Sequence, residues 1–295
     1  MSSGSPDRER IVLTQDGRTW RESEPPRIGW IDDATFIDAR HGWVVSEDCA
    51  RGKGEVARTS DGGRTWRGAP FGGHSCSAGS RFTLDFVDAR HGWIVDVEAS
   101  GGFARLWRTN DGGRSWRLIV RRLPGNGPVR FRTARDGWLG GYGGLYRSRH
   151  AGRLWLRIRG FGRGYGGFVP PRFFGRTGVT AAVSEHTAAA FRTSDGGRHW
   201  QRTLLARLPR EPWLFGPVSL SVPQPGVCWL TVNGQRSSLY VSTDGGRSWM
   251  RRRPLPVDFG SLQAIDAQTA VVPVYRNKHT VVLVTHDGGR TWRPR

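Results

Sequence analysis

Paired carboxylates can exchange protons with a substrate, and arginines can grip an anionic group, so the side chains to weigh first are the titratable and cationic ones outside any repeated pattern. Glu47, Asp96, Glu98, Glu185, His186 and Tyr275 are the candidates for catalytic work, and a pair such as Glu47 with Glu98 could serve acid and base roles. Asp33, His74, Arg81, Arg130, Arg236 and Arg276 are the candidates for binding a polar ligand. The same residues also make an ordinary solvated rim of charge, and no catalytic constellation rises above that background. The expectation is a non-catalytic binding or assembly protein that docks a protein or anionic partner. The alternative is an enzyme acting on a glycan or small molecule.

A second set of carboxylates repeats. Asp61 stands in "TSDGGRTW" (59–66), and the octapeptide returns as "TNDGGRSW", "TSDGGRHW", "STDGGRSW" and "THDGGRTW" around Asp111, Asp195, Asp244 and Asp287. Asp16 lies in a shorter copy, "TQDGRTW". Aspartate beside glycine suggests a calcium loop, but an EF-hand needs further oxygen ligands at alternate positions and a distal glutamate, and the octapeptide offers none. Paired glycines suit a sharp reversal between strands, with the carboxylate accepting the turn's own N–H groups and the closing tryptophan burying a large apolar surface. These aspartates, with His41 and His91 of the repeated "RHGW", are therefore expected to be structural. No metal and no cofactor is expected.

Such turns need a repeating scaffold. The closing tryptophans Trp20, Trp66, Trp116, Trp155, Trp200, Trp249 and Trp292 recur about every 40 to 50 residues, the period of a propeller blade. The copy at 148–155, "SRHAGRLW", has His150 where the others have aspartate. Upstream, "FIDARHGWVV" (36–45), "FVDARHGWIV" (86–95), "FRTARDGWLG" (131–140) and the weaker "AIDAQTAVV" (264–272) read as a strand, a tight turn and a second strand that begins at Gly-Trp. A third strand leads into each octapeptide, and its tryptophan opens a fourth. The expected fold class is all-β, a β-propeller with seven blade positions: six complete four-stranded blades plus an incomplete N-terminal one, the octapeptide turns all on one face. Residues 1–295 form a single domain in this reading, with 1–9 as a disordered tail. The first unit has no inner hairpin, so the natural gene product is expected to start upstream and to include that hairpin and an export signal. Interblade loops and the loops joining second to third strands collect on the other face, where the partner is expected to dock.

The octapeptides resemble the Asp-box, or BNR, repeat of bacterial sialidases and sortilin-type receptors. The pairing of "DARHGW" with "TSDGGRTW" more specifically resembles the photosystem II stability and assembly factor-like propellers, and the likeness runs from about residue 10 to 293. It implies the fold and says little about activity, because function lives in sites grafted onto a scaffold. Sialidases carry an Arg-Ile-Pro motif before their first box; here "PPRIGW" offers Arg27 and Ile28 followed by Gly29, and it comes after the first box. None of the tyrosines aligns with the sialidase nucleophile.

The formal net charge is +20, from 45 basic against 25 acidic residues, and only Lys53 and Lys278 are lysines. The octapeptide arginines are spread around the repeat, while Arg121 with Arg122, Arg157 to Arg163, and Arg251 to Arg253 are denser groups that could face an anionic partner. Nucleic acid is not expected, since no recognition helix or RNP-like segment accompanies the charge. No run of about 18 apolar residues offers a membrane span. The chain is expected to be monomeric, and extracytoplasmic if its natural start lies upstream. Cys49 and Cys76 fall in successive loops of one face, so a disulfide and a pair of free thiols are both open. Cys228 sits in the strand-like "GVCWLTV" and is expected to be buried.

Overall fold

The computed structural model describes residues 11–25, 30–48, 53–73, 81–98, 103–161, 164–165, 167–208, 218–232, 237–252, 261–276 and 279–295. Their regular elements are strands alone, in the architecture of a β-propeller with six four-stranded blades. Within each blade the strands pair antiparallel in chain order. Blade 1 is built from Trp30–Phe36, Gly42–Asp48, Lys53–Thr59 and Arg67–Gly73, and blade 2 from Arg81–Phe86, Gly92–Val97, Ala104–Thr109 and Arg117–Val120. Blade 3 is shorter, with Val129–Phe131, Gly137–Leu139, Tyr146–Ser148 and Leu156–Arg157. In blade 4 the first strand is split into Gly167–Phe168 and Arg172–Phe174, both pairing with Thr177–Val183. Pro170 and Pro171 stand at the break, where two residues without N–H donors cannot continue a ladder.

The chain divides into two compact units. Unit 1 (Met1–Thr14, Trp20–Leu139, Tyr146–Leu156) holds blades 1 to 3 and a two-stranded sheet of Ile11–Leu13 with Arg21–Ser23. Unit 2 (Gln15–Thr19, Gly140–Leu145, Arg157–Arg295) holds blade 4, completed by Thr187–Thr193 and Gln201–Arg207, blade 5 (Val218–Gln224, Val227–Val232, Ser238–Ser242, Met250–Arg251) and blade 6 (Gln263–Ala264, Ala270–Arg276, His279–Thr285, Arg293–Pro294). The small sheet is fastened to the octapeptide turn of blade 1: Ser23 Oγ donates to Gly63 O at 2.5 Å and accepts from Trp66 Nε1 at 2.8 Å. It corresponds in sequence to the incomplete N-terminal unit, but it does not establish a seventh blade position. Six is the number of blades the structure supports.

Blades 1 to 3 pack by one repeated device. The last residue of each first strand, Phe36, Phe86 or Phe131, pairs across the hairpin with the glycine that opens the second strand, Gly42, Gly92 or Gly137. The ring lies over that glycine, and a β-carbon there would overlap it. The tryptophan after the glycine turns toward the next blade: Trp43 stacks on Phe86 with centroids 3.7 Å apart, and Trp93 on Phe131 at 3.5 Å. Each blade's own octapeptide tryptophan meets the same phenylalanine edge-on, Trp116 at 5.9 Å from Phe86 and Trp155 at 6.1 Å from Phe131. Trp43 Nε1 donates to Gly112 O and Trp93 Nε1 to Ala151 O, so the buried indoles are also satisfied by the neighbouring turn. Each aromatic pair adds about 0.5–1.5 kcal/mol beyond the area it buries.

The octapeptide turns close on their own carboxylates. Thr59 Oγ1 accepts from Gly63 N at 2.7 Å and donates to Asp61 Oδ1 at 2.8 Å. Asp61 then accepts the amides of Arg64 and Thr65, both at 2.9 Å, and the Thr65 hydroxyl at 2.7 Å. Asp111, Asp244 and Asp287 repeat this set, and at Asp195 the ring of His199 replaces the hydroxyl with Nδ1 at 2.6 Å. Asp16 in the shorter copy accepts the amides of Arg18 and Thr19 at 2.8 Å. The two glycines take φ near +75° and +83°, as at Gly112 and Gly113, which side-chain-bearing residues resist. The first of them reaches back to the preceding hairpin turn, Gly62 N to Arg40 O at 2.8 Å and Gly112 N to Arg90 O at 2.9 Å. That turn is closed by Asp38 or Asp88, which accept the amides two and three residues on and hold His41 and His91 through Nδ1 at 2.9 and 2.8 Å.

These bonds favour the charged carboxylate. Burial alone would raise the Asp111 and Asp244 carboxyls, but the hydroxyls and amides of Ser115 and Ser248 override it and hold both at about 2. Asp61, bound first by the Thr65 amide, and Asp195, bound first by the His199 amide, are lowered as well.

Two outcomes follow. Gly92→Ala is expected to lower the unfolding free energy in urea by about 1–3 kcal/mol through overlap with the Phe86 ring. Combining it with Phe86→Ala should cost less than the two losses added, and strict additivity would show that the ring does not occupy that space. The Asp111 carboxyl, depressed by folding, contributes stability that is complete above its unfolded pKa near 3.9 and drains away as pH falls toward about 2. Asp111→Asn should therefore lower the urea midpoint at neutral pH and flatten its decline between roughly pH 4 and pH 2. Parallel pH profiles for the variant and the parent would refute that role.

Candidate functional site

Asp33 and Arg130, expected to bind ligand, tie inner strands together in unit 1. Asp33 Oδ2 accepts Leu84 N at 2.8 Å, and one blade further on Asp85 Oδ2 accepts Phe131 N at 2.6 Å. Ser221 Oγ does the same for Ala264 N at 3.0 Å between blades 5 and 6. Arg130 Nη1 donates to Asp85 Oδ1 at 2.7 Å, so the first strands of blades 1, 2 and 3 share a carboxylate–guanidinium line. Burial raises the Asp33 carboxyl, only partly offset by Arg130. Desolvation opposes the charge on Arg130, yet Asp85 and Asp33 together raise its pKa. Asp85 lies one residue from the end of its strand, between Leu84 and Phe86, and nothing in its sequence position announces this part.

Asp96 and Glu98 converge on one guanidinium. Arg105 is the cross-strand partner of Asp96; its Nη2 lies 2.7 Å from Glu98 Oε2 and its Nη1 3.4 Å from Asp96 Oδ2. Trp107 Nε1 also reaches Asp96 Oδ2, at 3.4 Å, and Asp96 is buried. A carboxylate pair bridged by arginine fastens this hairpin. Glu47 is half-buried near the end of the second strand of blade 1, opposite Trp30 and Gly54 in register.

The same end of blade 2 carries an arrangement that the residue-by-residue reading missed. Phe103, just before the third strand, has Arg105 on its ring at 5.5 Å from the centroid and Arg122 at 5.2 Å. Arg121 and Arg122 follow the fourth strand and are exposed. Arg81, at the start of the first strand, donates to Asn126 O at 3.4 Å. The adjacent arginines were visible as a dense basic group; the approach of Arg122 to one ring, shared with Arg105, depends on a hairpin register that sequence alone does not fix.

Glu185 and His186 lie together in the turn between the second and third strands of blade 4, both exposed, with His186 Nε2 4.0 Å from Glu185 Oε2. Nearby, Tyr165 OH accepts from Thr187 Oγ1 at 3.1 Å. Tyr275 and Arg276 end the second strand of blade 6, and the positions of their side chains fall outside the described part. His74, Arg236, Cys49 and Cys76 also lie outside the described residues. Cys228 is buried and free, and burial pushes its thiol up to about 12.

No protein-family model and no curated protein matches the chain. Solved structures do. A YCF48 structure described as bound to D1 peptide superposes with a TM-score of 0.59 at 22% identity, covering 97% of this chain and 84% of that one. YCF48 from Cyanidioschyzon merolae gives 0.58 at 17%, covering 92% and 86%. The GH74 xyloglucanase from Xanthomonas campestris gives 0.59 at 15%, covering 97% of this chain but 46% of the enzyme. At these identities the likeness is one of fold, and the YCF48 propellers are the assembly-factor type that the sequence resembles.

Proposed function

We propose that this chain is a non-catalytic binding propeller that docks an acidic segment of a protein partner on the end of blade 2 opposite its octapeptide turn. The observation that carries this reading is the Phe103 ring with the guanidinium groups of Arg105 and Arg122 both within 5.5 Å of its centroid, beside exposed Arg121. Guanidinium groups held against a ring by cation–π attraction are restrained, so less freedom is lost when they bind a carboxylate in their fork. Asp96 and Glu98 neutralise Arg105 and leave Arg121 and Arg122 to face the partner. The excess positive charge of the whole chain would speed encounter with an acidic surface. The YCF48 structure with D1 peptide supports the reading as an instance of this fold holding a peptide. On the enzymatic side, the described carboxylates proposed as a catalytic set are bridged by arginine or stand on separate blades.

The full chain should capture peptides rich in Asp and Glu over neutral peptides of equal length in biolayer interferometry. Arg121→Glu with Arg122→Glu should weaken that capture at least about tenfold, since each arginine supplies a charge-assisted contact. A panel of glycans that includes xyloglucan should yield no product. Undiminished capture by the double variant would disprove the placement, and turnover of a glycan would disprove the non-catalytic reading.

A further inference from the structure

The octapeptide of blade 3 has lost its charge balance. In blade 2, Arg58 from the preceding blade has burial first, then Arg114 and Arg67, against its charge and the Asp111 carboxylate in its favour. One blade on, Arg108 holds the place of Arg58, Arg153 that of Arg114, and His150 that of Asp111. Arg108 lies over the Trp93 ring at 5.6 Å, with its Nε buried and without an acceptor. Burial and the charge of Arg153 both work against its protonated form, and no carboxylate answers them. Leu154 replaces the serine or threonine whose amide and hydroxyl elsewhere bind the aspartate.

The turn keeps its shape regardless. Ser148 Oγ accepts Gly152 N at 3.0 Å and His150 N at 3.2 Å, and Ala151 N donates to Arg135 O at 3.0 Å. Ala151 takes a φ of 58°, a left-handed conformation that glycine fills in the intact copies. Against this frame opens a pocket of about 660 Å³ within unit 1, whose polar lining is His91, Arg108, Arg135, Arg149, His150 and Arg153. Among the described residues no carboxylate lines it. The neighbouring Asp88 is held by His91 and two amides, and Asp136 is held by Arg147 at 2.8 Å.

We propose that this pocket binds a tetrahedral oxyanion, phosphate or the phosphate group of a larger molecule, in place of the absent carboxylate. Four arginines around one opening call for more than a single negative charge, and their forked donors match phosphate oxygens in pairs. The site lies at the octapeptide end of the sheets, the opposite end from the Phe103 platform, and does not depend on it.

Thermal unfolding of the full chain in sodium phosphate, set against sodium chloride at equal ionic strength, tests this. Phosphate should raise the midpoint saturably. Arg149→Gln and Arg153→Gln, both exposed positions, should each weaken the apparent affinity about tenfold. His150→Asp restores the built-in carboxylate and should abolish the phosphate response while raising the midpoint in chloride. Phenyl phosphate binding about tenfold tighter than inorganic phosphate would assign the group to a larger ligand, and equal affinities would assign the free anion. A response no greater than that to chloride, or one that persists unchanged in all three variants, would overturn the proposal.

Discussion

A phenylalanine ring laid over a cross-strand glycine and clamped between two tryptophans is the constraint on which the packing of unit 1 depends. Gly92 has no side chain because the Phe86 ring occupies that space, and the ring must stay there because Trp43 of the preceding blade stacks on its face. Trp116 closes the other side edge-on from the blade's own octapeptide. Displacing any one of these leaves a gap that the others cannot fill, since protein interiors pack at crystal density. The stack also fixes the turn: with its ring held flat, Trp43 can donate only where Gly112 O waits, so aromatic packing and turn geometry are one coupled arrangement.

The turns in turn consume the carboxylates. Each intact octapeptide directs its aspartate into four or more bonds with its own residues, and in the preceding hairpin turn Asp38, Asp88 or Asp266 accepts the amides two and three residues on. A carboxylate so saturated is a poor metal ligand and a poor base, because either role would unmake the turn that positions it. Chemistry on this scaffold is therefore confined to residues that break the pattern. The Phe103 platform on blade 2 and the altered turn of blade 3 are two such places.

What could be read from the sequence follows rules that act over a few residues. Gly-Gly after Asp marks a reversal, Gly-Trp marks the start of a strand, and the return of both at a fixed period marks blades. The identity of the partners was hidden because they come from different repeats: nothing near Trp93 names Phe131 as the ring it covers. Asp33 and Arg130 show the same limit at the site. An isolated charge reads as a rim group, and only the neighbouring blade reveals that Asp33, inside Trp30–Phe36, is bonded to Leu84 N. The sequence shows Asp96 and Glu98 as free carboxylates, whereas the hairpin register sets Arg105 opposite Asp96 and within reach of Glu98. The split first strand of blade 4 was not legible: the glycine-rich run before Pro170-Pro171 gives no strand pattern, and the segments on either side of the prolines pair only through Thr177–Val183.

The altered turn of blade 3 shows how a repeat can gain a site by losing a residue. Substituting an aspartate in an isolated loop would let the loop relax and scatter the charges around it. Here the frame is held from outside: Trp93 is stacked on Phe131 and donates to Ala151 O, while Ser148 keeps the hydroxyl half of the network. The backbone stays in place even at the strained φ of Ala151. The loss of the carboxylate is then felt as uncompensated positive potential at a fixed position and not as disorder. Preorganised charge of this kind costs little further reorganisation when an anion arrives, which is the physical condition that separates a binding site from a basic patch.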